Sequence, residues 1–189
     1  MRRLRKRLRP RLLAAYALAV GLVWSARPGV ASMLAGLAVV TVGEGIRLWA
    51  TGYLHKTESL TVAGPYAYVR HPLYLGTLLI GTGFAIMAQT LLALAVWAVF
   101  VLGYFGYYMP YKNRIEGARL EELFGDDFRR YAVAVPRLAP RMYAYVPLGG
   151  HADGSAHWRG VRFEDNHETG VALSVVAGVA AVFVRWLLL

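Results

Sequence analysis

Five apolar stretches, Leu12–Trp24, Val30–Ala50, Leu73–Ala88, Thr90–Met109 and Val171–Leu189, restrict this chain more than any other feature. A helix needs about 20 apolar residues to cross the hydrocarbon core of a bilayer. The second, fourth and fifth stretches meet that length; the first and third need flanking residues or a thinned bilayer. With 57% hydrophobic and 17% charged residues among 189, the chain is too apolar for an ordinary soluble domain. The expected fold is all-α, a polytopic integral membrane helical bundle of about five transmembrane helices forming one domain over residues 1–189.

The polar punctuation supports this division. Arg27-Pro28-Gly29 reads as a tight turn making a hairpin of the first two stretches, and Gln89 is the polar point between the third and fourth. Residues 12–109 then hold four transmembrane helices, residues 110–170 form one polar segment, and residues 171–189 form the last span. Pro147–Gly160, rich in Gly and His, reads as a flexible loop.

Charge sets the expected orientation. The net charge is +10, and Met1–Arg11 alone holds seven of the 21 Lys and Arg. A basic arm before an apolar helix is retained in the cytoplasm, where it meets anionic headgroups. The long polar stretches Thr51–Pro72 and Pro110–Gly170 then fall on the same side, and both carry Lys and Arg. A secretory signal is the competing reading of the N-terminus, but no small-residue cleavage site followed by a soluble body appears. Nucleic-acid binding ranks well below membrane anchoring in a chain this apolar.

The absence of cysteine removes disulfides, thiolate metal sites and cysteine nucleophiles. His55, His71, His151, His157 and His167 include no pair at the i, i+4 spacing of a helical metal site, so no metal is expected.

Chemistry concentrates in two places. In GPYAYVRHPLYLG, Gly64–Gly76, an Arg-His-Pro triplet stands at the mouth of the third apolar stretch. Proline suits the first turn of a helix, whose free N–H groups face an anion or acceptor. Gly81-Thr82-Gly83, taken alone, fits helix packing better than ligand contact. The second place is YKNRIEGARLEELFGDDFRRY, Tyr111–Tyr131, where Ile115, Leu120, Leu123 and Phe124 recur at helical spacing and Lys112 can pair with Glu116. Gly125 is a natural stop, and Asp126 a cap for a second short helix.

Together, Arg70, His71, Pro72, Tyr74 and Gly76, followed by Glu116, Leu120, Phe124, Gly125, Tyr131, Val135 and Pro136, resemble the isoprenylcysteine carboxyl methyltransferase and phospholipid methyltransferase superfamily. The resemblance covers roughly the middle half of the chain. Phe128 stands where that superfamily usually has tyrosine, and Gly117 where it has a second glutamate. The resemblance implies an S-adenosylmethionine-dependent methyltransferase with its cofactor-binding helical lobe on the cytoplasmic side. His71, Pro72, Tyr74, Gly76, Gly81, Gly83, Glu116 and Tyr131 are the implied cofactor-binding residues, and Arg70, Glu116 and Lys112 the implied catalytic ones. The implied partners are membrane lipids and a lipid-like or prenylated substrate entering from the bilayer. A carboxylate acceptor needs alignment alone, whereas an amine must also lose a proton. A membrane reductase using NADPH and a non-catalytic scaffold are the competing classes.

Two polar groups flank this core. Glu44 and Arg47, i and i+3 in the second stretch, either pair or face a polar cavity, because an isolated charge in hydrocarbon is expensive. Asn166 and Glu168, ahead of the last span, read as a solvated loop and helix cap in preference to pocket lining.

Overall fold

A computed structural model describes residues 10–54, 59–148, 152–153, 157–160 and 168–189. The basic arm up to Arg9, and Asn166, lie outside the described residues. The helices are α1 (Pro10–Ser25), α2 (Val30–Tyr53), α3 (Pro72–Ala88), α4 (Leu91–Gly103), α5 (Met109–Ala134) and α6 (Glu168–Leu187). A π-helical segment, Tyr104–Tyr108, joins α4 to α5 without a break. The only strands among the described residues are β1 (Leu60–Thr61) and β2 (Ala152–Asp153), paired in parallel. The chain is therefore an all-α protein.

Three helices among the described residues have the length and composition to cross a membrane: α2, the continuous helix Leu91–Ala134, and α6. α3 is apolar but shorter, as is the Tyr16–Ser25 part of α1. Thus three of the five expected spans reach full length on their own.

Glycine decides which helices meet. A Cβ on Gly43 would lie 2.8 Å from the Gly76 carbonyl oxygen, and one on Gly76 would lie 2.6 Å from that of Gly43. One turn pair further along, a Cβ on Gly36 would meet the Gly83 oxygen at 2.5 Å, and one on Gly83 the Gly36 oxygen at 2.6 Å. In lipid, where apolar burial does not drive association, such backbone proximity supplies the packing energy. Among the described residues, α2 and α3 form the tightest helix pair.

The turns at one end of the bundle also meet. Arg27 N–H donates to the Ala88 carbonyl at 2.9 Å, and Ala26, Ala88 and Ala93 form a buried cluster. Gln89 ends α3 in the left-handed region, and the Thr90 hydroxyl accepts from Ala93 N–H to start α4. The first two stretches are joined by a tight turn, and α1 packs also against α3, α4 and α6, with Val23 on the cluster that Met33 and Val40 of α2 share with Met87 and Val182.

At the opposite end, Gly125 (φ 50°, ψ −122°) breaks α5 into two helical parts, as expected of it. Asp126 is paired with Arg129 at 3.2 Å. Leu60 and Val62 pack on Tyr131 of the second part and on Val135 just after it, with Phe124, Phe128 and Tyr145 around them. The segment after α5 then straps the Arg-His-Pro region: Arg70 and His71 N–H donate to the Pro136 and Arg137 carbonyls at 2.9 and 3.1 Å.

Candidate active site

The Arg70-His71-Pro72 triplet is held where two cavities adjoin. One, about 240 Å³, lies over the start of α3 and is floored by Leu54, Leu60, Leu73 and Leu120. The other, about 350 Å³, opens on the α5 side and includes Asn113, Gly117 and Arg137. Both are bounded by Arg70, His71, Glu116, Leu120 and Tyr131. Residues separated by some sixty positions in sequence thus share one wall.

Each position has a local cause. Pro72 starts α3 with His71 as its N-cap residue, whose carbonyl accepts from the Tyr74 and Leu75 N–H groups at 3.1 Å. The Tyr131 hydroxyl donates to the Tyr66 carbonyl at 2.8 Å, joining α5 to the Gly64–Ala67 turn. Glu116 accepts from Lys112 Nζ at 2.8 Å across one turn of α5. The His71 ring stacks on Tyr74 at 5.2 Å, and Tyr74 meets Tyr104 and Tyr108 edge-on at 5.9 and 6.0 Å.

Electrostatics favour a neutral imidazole. Burial pushes the His71 pKa below the ordinary histidine value, and the Arg70 and Arg137 guanidiniums act in the same direction. The hydrogen bond with Asn113 and the negative Glu116 oppose them. Burial, followed by the like charge of Arg137, also lowers the Arg70 pKa from its very high ordinary value. Its buried Nε has no hydrogen-bond partner among the described residues.

The sequence-based assignments divide here. Arg70, His71, Pro72, Tyr74, Glu116 and Tyr131 all border the first cavity. Lys112 borders neither cavity and reaches the site through Glu116. Gly76, Gly81 and Gly83, assigned to cofactor binding from the sequence, border neither cavity. Gly76 and Gly83 are pressed against α2, where their missing side chains let the backbones touch. Gly81 faces Trp97 and Phe100 of α4 and lines a separate apolar cavity.

The expectation for Glu168 is corrected: it is not a solvated cap. Its carboxylate accepts two hydrogen bonds from Arg47 Nη2, both at 2.7 Å, while Arg47 Nη1 donates to the Thr77 hydroxyl at 2.6 Å and the Leu73 carbonyl at 3.2 Å. Arg47 and Glu168 are 9% and 6% exposed. Arg47 therefore pairs with α6 and not with Glu44, and one Glu44 oxygen is left buried without a partner among the described residues.

Leu60, Thr61 and Tyr66 are site residues that sequence reasoning missed as such. Tyr66 stands within the stretch around the triplet, but a two-residue strand leaves no periodic signal. Asn113 and Arg137 become visible only once α5 and its following strap fold over His71.

The sequence profile of the phospholipid methyltransferase family matches residues 15–127, more than half of the chain. The cobalt-zinc-cadmium resistance protein CzcN of Cupriavidus metallidurans is 37% identical over 112 residues, covering 58% of this chain and 48% of its own length. The nickel-cobalt-cadmium resistance protein NccN of Alcaligenes xylosoxydans xylosoxydans is 33% identical over 110 residues, or 57% and 47% of the two chains. The chain spans about half the length of these curated relatives. No solved structure matches it.

Proposed function

The chain belongs to the phospholipid methyltransferase family, and from that premise we propose that it moves a methyl group from S-adenosylmethionine to a lipid-tailed acceptor at the cytoplasmic face of the membrane. The observation that carries this reading is the shared wall of Arg70, His71, Glu116 and Tyr131 between two adjoining cavities. One cavity serves the cofactor and the other gives the acceptor's polar end a place beside it.

The residues present fit the cofactor's chemistry. The buried Arg70 Nε is an orphaned donor suited to the cofactor carboxylate. Glu116 offers acceptors to its amino group or ribose hydroxyls, and the ring of Tyr74 and the leucine floor suit adenine or the cationic sulfur. When bound, S-adenosylmethionine supplies an electrophilic methyl group on a sulfonium. The chain's own task is to orient. His71, held neutral by burial, hydrogen-bonds without adding a second positive charge beside Arg70. Lys112 fixes the Glu116 carboxylate.

A carboxylate acceptor is preferred over an amine. It arrives without a proton to lose, so alignment is sufficient, and Arg70, Arg114 and Arg137 outnumber Glu116 and Glu121 on the second cavity, which favours an anion. Gly117, which has open space where its side chain would be, widens that cavity at the position where the superfamily usually carries a glutamate.

The test is thermal unfolding of detergent-purified protein with S-adenosylhomocysteine or NADPH. Stabilisation by S-adenosylhomocysteine alone is expected, about 2.7 kcal/mol at a hundredfold excess over Kd. Its loss in His71→Ala and Glu116→Ala, with the ligand-free melting temperature kept, locates the site. Stabilisation by NADPH instead would make the chain a reductase, and response to neither ligand would make it a scaffold.

A further inference from the structure

A third cavity, about 490 Å³, lies among α1, α3, α4 and α6, and its lining is almost entirely apolar. It exists because small residues face it: Gly81, Ala85 and Ala88 on α3, with Ser174 and Gly178 on α6. The Trp97 indole N–H donates to the Thr82 hydroxyl at 3.2 Å, fixing one wall. One end is shut by the buried Ala26, Ala88 and Ala93 cluster beneath the turns.

The other end lies towards the active site. On α3, Tyr74 of the active-site wall and Thr77, Gly81, Ala85 and Ala88 of the cavity follow one another at three- or four-residue steps, on one continuous face. Across from it, Phe100 of the cavity stacks on Tyr104 at 5.5 Å, and Tyr104 meets Tyr74 at 5.9 Å, so ring contacts fill the interval between the two spaces. The junction is polar. Thr77 accepts from Arg47, and Tyr104, only 8% exposed, has a buried hydroxyl without a partner among the described residues. A buried donor left unsatisfied is costly, and a polar atom of the bound acceptor would relieve it.

We propose that this cavity is a slot for the acceptor's single apolar tail, with the chain's end against the alanine cluster and its upper part passing Tyr104 and Tyr74 towards the headgroup in the second active-site cavity. The inference rests on the methyl-transfer reading for what the headgroup undergoes, but tail binding itself does not require it. From Thr77 to Ala88 the slot runs about 16 Å at the helical rise, roughly half of the ~30 Å hydrocarbon core. The closed end makes it a length gauge: it takes one chain of about leaflet depth and excludes longer ones.

The experiment uses the full chain in nanodiscs with myristic acid carrying a diazirine at its methyl end, against the same label on hexanoic acid. Photolysis of the myristic probe should mark Leu22–Ala26 and Ala85–Ala88, and the short probe should mark neither. Gly81→Leu fills the slot; its Cβ meets only Trp97 and Phe100 at ordinary distances of 3.8 and 4.0 Å, so folding should persist. Labelling in that variant should fall about tenfold, the effect of losing ~1.4 kcal/mol of binding. Marks on outward residues such as Val99 and Leu102 that are indifferent to Gly81→Leu would overturn the slot and leave ordinary annular lipid. The S-adenosylhomocysteine shift, measured on the same samples, should survive Gly81→Leu. Its absence in the unsubstituted chain would defeat the methyl-transfer reading while leaving the labelling result to stand on its own.

Discussion

His71 illustrates how much a single side chain here owes to its surroundings. Its ring stacks on Tyr74 and is buried under Asn113 and Arg137, so its folded-state pKa lies below the ordinary value. The unfolded chain takes up that proton near pH 6.5, the folded chain only at lower pH. Stability present above about pH 6.5 is therefore lost as the pH falls through that value towards the folded-state pKa. Melting temperatures between pH 7.5 and 5.5 should decline less steeply for His71→Ala than for the unsubstituted chain; identical slopes would contradict the burial argument. Tyr131 acts through one hydroxyl. Tyr131→Phe leaves the buried Tyr66 carbonyl without its donor and should cost ~1–3 kcal/mol in denaturant unfolding. The residue types of the site were legible in the sequence, since Arg70, His71, Tyr74, Glu116 and Tyr131 all came from two short motifs. The glycines were not separable in that way. Gly76, Gly81 and Gly83 sit within eight positions of one helix and face different neighbours, and direction around a helix depends on what packs against it.

At the scale of the element, those glycines give a sharp contrast. Gly83→Ala forces a Cβ to within 2.6 Å of the Gly36 carbonyl and should separate α2 from α3, with a loss of several kcal/mol. Gly81→Ala, two positions earlier, meets Trp97 and Phe100 at ordinary contact distances and should be neutral or stabilising by up to ~1 kcal/mol from helix propensity. Thermal unfolding of the two variants side by side checks the pair; equal effects would mean that α3 is rotated from the orientation described. Gly125 holds a positive φ between the two parts of α5, so Gly125→Ala should cost ~1–3 kcal/mol of strain and loosen the Leu60, Val62 and Tyr131 cluster first. The π-helical segment is an element that no periodic pattern announces. Tyr104–Tyr108 carries the fourth span straight into the polar helix, and widening of the helix there brings Tyr104 and Tyr108 around Tyr74.

For the whole molecule, the Arg47 and Glu168 pair ties α6 to the α2 and α3 pair in an apolar setting. Glu168→Gln leaves a buried guanidinium without its counter-charge and should cost about 3–5 kcal/mol, whereas the double change Arg47→Met, Glu168→Leu should recover much of that loss. A single variant as stable as the original would mean that water reaches the pair. The sequence by itself determined the class of the molecule, because runs of apolar residues near the thickness of a bilayer leave few folds other than a helical membrane bundle. It also singled out, through two motifs of fixed spacing, most of the residues that the fold gathers around the two adjoining cavities. Partnership was decided only in three dimensions: Arg47 with Glu168, α1 with α3, α4 and α6, and Gly81 with an apolar cavity among the helices. The physical reason is that helix periodicity fixes which residues share a face, whereas the neighbour of each face is chosen by competition among distant elements for close backbone approach and for scarce polar partners in lipid.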